Sequence, residues 1–440
     1  PEPRSIYQGT WKLPPGHTLT LRRPGGRLPE PRQYWDVSFG VETLRDDGEA
    51  IEALRQKLRE AVDIRLVAEV PLGAFLSGGV DSSSVVAMMA GLNTEPVNTC
   101  SIAFGDEEFD ESAYAAQVSR LFSTNHSVEH VDPDDYSLLD ALAGIYDEPF
   151  ADSSALPTYR VCELAKKHVT VVLSGDGGDE VIAGYSRYAQ HASDLALKQR
   201  VPAWMRSALG KAGGVYPQHD WMPGLLRRRQ SLVSMGQDPV TAFFEINSVM
   251  KNDLRARLYR KDYRSSLQGY RADDVSQRHA QNCDSKDPVS LAQYLDLKTY
   301  LPGDILTKVD RASMAHALEV RVPLLDHKLV EWAATLQPEH KQRGGEGKWL
   351  LKKAMEKDLP GDVLYRRKRG FAVPLQLWFK GPLRERVAQA MNSPLLHDAG
   401  IFEPAALQTM WSQHLQGRED FSPQIWALLM FESFLRQEQA

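Results

Sequence analysis

A short apolar run, Val70-Pro71-Leu72-Gly73-Ala74-Phe75-Leu76, passes directly into Ser77-Gly78-Gly79-Val80-Asp81-Ser82-Ser83 and then into a helix-forming stretch that ends near Gly91. An apolar segment of this length, closed by small residues, is predicted as a buried parallel strand. Two adjacent glycines let the backbone turn tightly and approach a ligand closely. Hydroxyls and free N–H groups at the following helix start present donors, and the positive end of a helix dipole, to an anion. Ser77, Gly78, Gly79, Ser82 and Ser83 are therefore candidate phosphate-binding residues. Asp81 stands among these anion-seeking groups, and a carboxylate beside bound phosphate points to a bridging magnesium ion. A Walker-type loop is excluded, because its nearest match, Gly347-Lys348, is followed by Trp349.

The flanking sequence repeats the alternation of strand and helix. Ile51, Leu54, Leu58 and Val62 mark one face of a first helix, and Tyr114, Val118 and Phe122 mark another. Further strands are expected at Val97–Phe104, His126–His130 and Val169–Leu173, with a helix around Tyr159–Lys167 before the last. This pattern predicts an α/β fold with a parallel sheet covered by helices on both faces. From about Ala189 the strand signals fade, so a mainly helical second lobe is expected over 191–440.

A second glycine motif, Ser174-Gly175-Asp176-Gly177-Gly178-Asp179-Glu180, directly follows the Val169–Leu173 strand. Ligands in parallel sheets bind beyond the carboxyl ends of the strands, so both motifs are expected at one site.

Ser77 to Ser83 resembles the pyrophosphate loop of N-type ATP pyrophosphatases, which split ATP into AMP and pyrophosphate. Four further segments narrow the likeness to the synthetase domain of glutamine-hydrolysing asparagine synthetases and the related β-lactam synthetases. They are Ser174–Glu180, Lys308-Val309-Asp310-Arg311-Ala312-Ser313-Met314, Glu319-Val320-Arg321-Val322-Pro323 and Lys368-Arg369-Gly370-Phe371. The resemblance runs from about Tyr34 to the end of the chain. It implies ATP and Mg2+ as cofactors, with Asp81 and Asp179 holding the metal on the triphosphate. It also implies that Ser174 and Gly175 touch the adenosine, that Phe75, Leu76 and Ile102 line the adenine pocket, and that Lys368 clamps the leaving pyrophosphate.

Lys348 matches the family's lysine over the reacting phosphate and acyl centre, where a fixed cation stabilises charge that grows during reaction. Asp176 departs from the pattern: asparagine synthetases carry glutamate here and β-lactam synthetases tyrosine. Its shorter reach leaves open whether it takes the proton from attacking ammonia. Glu180 either assists it or caps a following helix from Val181 to Tyr185.

Residues 1–38 are expected to be the remnant of an N-terminal glutaminase domain and a linker, since Gly9–His17 resembles that domain's last strands. The ATP pyrophosphatase domain then spans 39–440, with 39–190 as its nucleotide core. Pro1 cannot serve as the N-terminal cysteine nucleophile of that family, so glutamine hydrolysis is not expected from these residues. A formal charge of -6 argues against a nucleic-acid role, and no apolar run reaches membrane-spanning length. Three scattered cysteines make neither a disulfide framework nor a zinc site and fit the reducing cytoplasm.

Taken together, the resemblance implies an ATP-dependent amide ligase. It adenylates a small acceptor acid, aspartate first among the candidates, and passes ammonia to it. The ammonia comes from glutamine through a missing glutaminase domain or a partner, and a homodimer is one expected assembly. Two alternatives stand beside this reading: the same chemistry on a sugar acid, peptide carboxylate or lactam, and a catalytically idle partner subunit.

Overall fold

The computed structural model of the chain describes residues 2–21, 29–41, 43, 46–104, 110–131, 138–216, 229–366 and 373–439. Five strands form one parallel sheet: β1 (Leu72–Phe75), β2 (Asn98–Phe104), β3 (Asn125–Val131), β4 (Val171–Leu173) and β5 (Glu319–Arg321). Their order across the sheet is β3-β2-β1-β4-β5. The chain builds outward from β1 on one side and then returns to extend the sheet on the other. That reversal opens a crevice at the carboxyl ends of β1 and β4, the position where parallel sheets of this kind bind ligands.

Ten helices frame the crevice and its supports: α1 (Asp47–Asp63), α2 (Val80–Ala90), α3 (Ser112–Phe122), α4 (Ala155–Lys166), the single turn α5 (Gly178–Val181), α6 (Ser186–Arg200), α7 (Pro288–Lys298), α8 (Thr307–Met314), α9 (Trp349–Met355) and α10 (Ser422–Glu438). Side chains alternate across the sheet, so its two faces feed two cores. Cys100, Ile102 and Val172 pack with Leu156, Val161 and Ala165 of α4, and with Ile425 and Leu429 of α10. Ala74, Leu76 and Leu173 pack on the opposite side with Leu54 and Leu58 of α1 and Val86 and Met89 of α2. The consecutive residues Val172 and Leu173 thus enter different cores. Both are wholly buried, and each fully buried side chain of this kind contributes about 1.5–3 kcal/mol. The helices expected on both faces are present.

One strand was missed and one helix misplaced. The half expected to be mainly helical is mainly helical, yet it also supplies a strand, because Glu319–Arg321 pairs in parallel with Val171–Leu173 as β5. It is only three residues long, too short for alternation to show in sequence. No helix runs from Val181 to Tyr185 either: α5 ends at Val181, and Glu180 lies inside that turn rather than capping a later one.

Near the start of the chain, His17–Thr18 and Arg32–Gln33 form a small antiparallel pair. Asp36 ties the segment after them to α7 by an ion pair with Lys298 at 3.0 Å and a hydrogen bond from the Tyr294 hydroxyl. Among the described residues, no helix is long and apolar enough to cross a membrane.

Candidate active site

The loop after β1 folds on itself through its serines. The Ser77 N–H donates to Ser82 Oγ at 3.2 Å, the two hydroxyls lie 3.1 Å apart, and Ser82 Oγ donates to the Gly79 carbonyl. Gly78 has φ +70°, a region disfavoured for residues with a side chain, and a Cβ there would strike Tyr114 of α3 at 2.5 Å. The loop is therefore pressed flat against α3 and opens toward the crevice at the start of α2.

The second loop meets the first in direct contact. A Cβ on Gly175 would lie 2.7 Å from Ser82 N, and one on Gly178 would lie 2.5 Å from Asp81 Oδ1. Both glycines are required by this approach, and the two motifs do form one site. Ser174 Oγ donates to Asp176 Oδ2 at 2.6 Å, which fixes the Asp176 side chain within its own loop.

Lys348 joins the two loops. Its Nζ donates to Asp81 Oδ2 and stands 2.8 Å from Asp179 Oδ1. The side chain is buried, and burial works against its charge. The Asp179 and Asp81 carboxylates outweigh that effect and hold the ammonium above the ordinary lysine range. Lys348 arrives on a tight hairpin in which Gln342–Arg343 pairs with Glu346–Gly347. Gly344 and Gly345 make its turn, both with positive φ, as two-residue hairpin loops favour. Gly184 leaves room for the lysine: a Cβ there would fall 2.1 Å from Asp179 Oδ1 and 2.2 Å from Lys348 Cε, while a Cβ on Gly347 would meet the Ala183 and Gly184 carbonyls at 2.8 Å.

Glu180 is buried beside this cluster and accepts a hydrogen bond from the Tyr185 hydroxyl at 2.8 Å. Burial, reinforced by the neighbouring Asp179 charge, pushes its carboxyl up to about 7, against the opposing pull of the Tyr185 bond. A carboxyl poised near neutrality on a cavity wall is suited to move a proton.

These groups line a cavity of about 570 Å³, a size that suits a small-molecule site. Leu76, Ile102 and Phe75 form part of its apolar wall, and Ser77, Gly79, Asp81, Ser82, Ser174, Gly175, Asp176, Asp179, Glu180 and Lys348 all face it. Gly78 and Ser83 do not line it; Ser83 is wholly buried beneath the loop and donates its N–H to the Gly79 carbonyl. Lys368 lies outside the described residues.

Sequence reasoning gave no role to three cations on the wall, Arg366, Lys308 and Lys352. Arg366 donates to the Gly78 carbonyl at 3.3 Å, pairs with Glu111 at 2.6 Å and stacks 4.6 Å above the Tyr114 ring. Its signal was the basic run 366–369, read for Lys368 alone. Lys308 is buried, with Nζ bonded to Asp152 Oδ2 at 2.6 Å and to Ser154 Oγ at 2.7 Å. Its signal was its place at the head of the Lys308–Met314 segment, which carried the resemblance without a task for the side chain.

A family model described as asparagine synthase matches residues 53–436, a span that contains every site residue above. The chain belongs to the asparagine synthase family. It is 32% identical to the glutamine-hydrolyzing asparagine synthetase 1 of Bacillus subtilis over 98% of this chain and 66% of that protein. It is 31% identical to a putative glutamine-hydrolyzing asparagine synthetase of Mycobacterium bovis over 98% of this chain and 64% of that protein. A more distant relative, 26% identical over 92% of this chain and 65% of its own length, is the amidase chyE of Penicillium rubens. The chain thus spans about two thirds of the length of the asparagine synthetases it matches.

The residues fit the magnesium ion that an asparagine synthase family member uses with ATP. Asp81 and Asp179 come from different loops yet direct one carboxylate oxygen each at a single cation, the Lys348 ammonium. Magnesium is commonly bound by one or two carboxylates together with substrate phosphates. Among the described residues there is no group of three or more His, Cys, Asp or Glu able to hold a metal without such help.

Proposed function

We propose that the chain is an ATP-dependent amide ligase that adenylates an acceptor carboxylate, releases pyrophosphate and transfers ammonia to the acyl group. Aspartate is the leading acceptor and asparagine the product. The observation that carries this reading is the convergence of Asp81, Asp179 and Lys348 from three segments onto one point at the β1–β4 crevice.

Ser77, Gly79, Ser82 and the first N–H groups of α2 bind the phosphates, while Leu76 and Ile102 hold the adenine against an apolar wall. Ser174 and Gly175 border the adenosine. Asp81 and Asp179 would hold Mg2+, which when bound neutralises charge on the phosphate oxygens. In the first step an acceptor oxygen bonds to the α-phosphorus and the bond to pyrophosphate breaks. Lys348 keeps a positive charge where the phosphorus oxygens become more negative. In the second step ammonia bonds to the acyl carbon, AMP leaves, and the nitrogen gives up a proton. Glu180, with its carboxyl near neutrality, and Asp176 are the candidate proton acceptors. Lys368 is proposed to clamp the leaving pyrophosphate. The ammonia is proposed to come from glutamine through a glutaminase domain or partner, for which residues 1–38 would be a remnant and linker.

The test supplies Mg-ATP, ammonium and aspartate and measures all products. Equal amounts of AMP and pyrophosphate, rising with aspartate, are expected. ADP and phosphate as products would overturn the adenylation reading. Release stimulated by a sugar acid but not by aspartate would move the acceptor and leave the chemistry standing.

A further inference from the structure

Behind the cavity wall, Arg187 of α6 is packed between two tyrosines that themselves line the cavity. Its guanidinium carbon lies 3.4 Å from the Tyr185 ring centroid and 4.9 Å from that of Tyr300. The two rings meet edge to face with centroids 6.0 Å apart. Nη2 of Arg187 is anchored 2.7 Å from Asp296 Oδ2 of α7, an oxygen that also accepts from the Tyr188 hydroxyl at 2.7 Å. Asn247 Nδ2 donates to the other Asp296 oxygen at 3.2 Å. Asp296 is wholly buried, so this anchor has little freedom.

A planar guanidinium stacked on a ring restricts the tilt of that ring, which a lysine ammonium does not do. Tyr185 in turn directs its hydroxyl at Glu180 Oε1, 2.8 Å away. Tyr185 follows Gly184, whose lack of a side chain admits the Lys348–Asp179 pair, so this backbone turn cannot shift without disturbing that pair. Every link from Asp296 to Glu180 is therefore a direct contact, and the chain ends on a carboxyl at the cavity wall. The ammonium of Lys348 is engaged elsewhere, with Asp81 and Asp179 on the phosphate side of the site.

We infer that Arg187 is a positioning residue: anchored by Asp296, it fixes the Tyr185 ring and through it the orientation of the Glu180 carboxyl at the reacting centre. This inference rests on the amide-ligase reading, since it gives Glu180 a task there. Tyr185 acts by its hydroxyl, Arg187 by its plane and Asp296 by holding that plane, and no substrate contact is required of Arg187 or Asp296.

The experiment is a double-mutant cycle on Y185F and R187K, with turnover and ATP half-saturation measured for amide formation. Each single variant is expected to lower kcat about tenfold while ATP half-saturation stays within about threefold. The double variant is expected to fall no further than the worse single one, because both break the same chain of contacts. Multiplicative losses in kcat, or a loss confined to ATP half-saturation, would overturn the inference. An unchanged kcat in Y185F would overturn it as well. Should R187K not fold, D296N takes its place, with the same expected and overturning results. Wild-type enzyme that forms no AMP and pyrophosphate with any acceptor would instead bring down the ligase reading, and the two failures are distinct.

Discussion

Lys348 Nζ and Asp179 Oδ1 lie 2.8 Å apart, and the same ammonium donates to Asp81, so one cation holds together the loops that follow two neighbouring strands. Removing it leaves two largely buried carboxylates facing each other. Lys348→Ala is expected to destabilise the protein by about 3–5 kcal/mol, the usual result of stripping one partner from a buried ion pair. A hard divalent cation between the same carboxylates should restore part of that loss. Melting temperatures with and without MgCl2 check this: magnesium should raise the variant's midpoint more than the wild type's. Pyrophosphate release should fall by about 10²- to 10³-fold, as for loss of one electrostatic contact in a transition state.

Gly175 sits where the second loop touches the first. Gly175→Ala would put a Cβ 2.7 Å from Ser82 N and 3.0 Å from Asp81 Cβ, atoms that belong to a helix start and cannot move aside cheaply. The expected result is loss of nucleotide binding by at least tenfold, read by titration calorimetry. Gly214, in an exposed helical stretch where an added Cβ would meet nothing within 4 Å, is the matched control. Gly214→Ala should leave nucleotide binding alone and stabilise the chain by about 0.5–1 kcal/mol.

Arg366 braces the phosphate loop from outside through the Gly78 carbonyl, Glu111 and the Tyr114 ring. Arg366→Met keeps the stem and removes all three polar or cationic contacts. It is expected to raise the half-saturating ATP concentration about tenfold, measured by steady-state pyrophosphate release at saturating aspartate. An effect on kcat alone would show that Arg366 acts on chemistry rather than on loop shape.

The fold was legible in the sequence where one physical signal governs a segment. The β1 loop and α2 could be read because a buried strand, a glycine turn and a helix start each demand particular residue types over consecutive positions. Leu54, Leu58 and Val62 gave α1 away by helical spacing, and all three are buried. The missing strand β5 has only three residues, and its place in the sheet is set by pairing with β4, a contact far away in sequence. The site shows the same division. Asp81 and Asp179 stand in motifs whose chemistry is local. The tasks of Lys308 and Arg366 became visible only when folding brought them against Asp152 and Glu111. Tyr185 entered the sequence reading only as the end of an expected helix and Arg187 not at all, because their meaning depends on Asp296, more than a hundred positions away.

Asp304 gives the protein a stability term that depends on pH. Burial, reinforced by the Asp152 charge and opposed by Lys308, pushes its carboxyl from an ordinary 3.8 up to about 7. Between those values the unfolded chain has released this proton and the folded chain still holds it. Unfolding therefore releases a proton, and stability falls as pH rises from about 4 to about 7, by at most about 1.4 kcal/mol per pH unit for one group. Above about 7 the carboxyl is ionised in both states and the loss is complete. Asp304→Asn keeps the shape and cannot ionise, so it should remove this slope. The difference in melting temperature, variant minus wild type, should grow more positive from pH 5 to pH 8. A difference that stays constant over that range would show that Asp304 is ionised in the folded protein throughout, with Lys308 neutralising both Asp152 and Asp304.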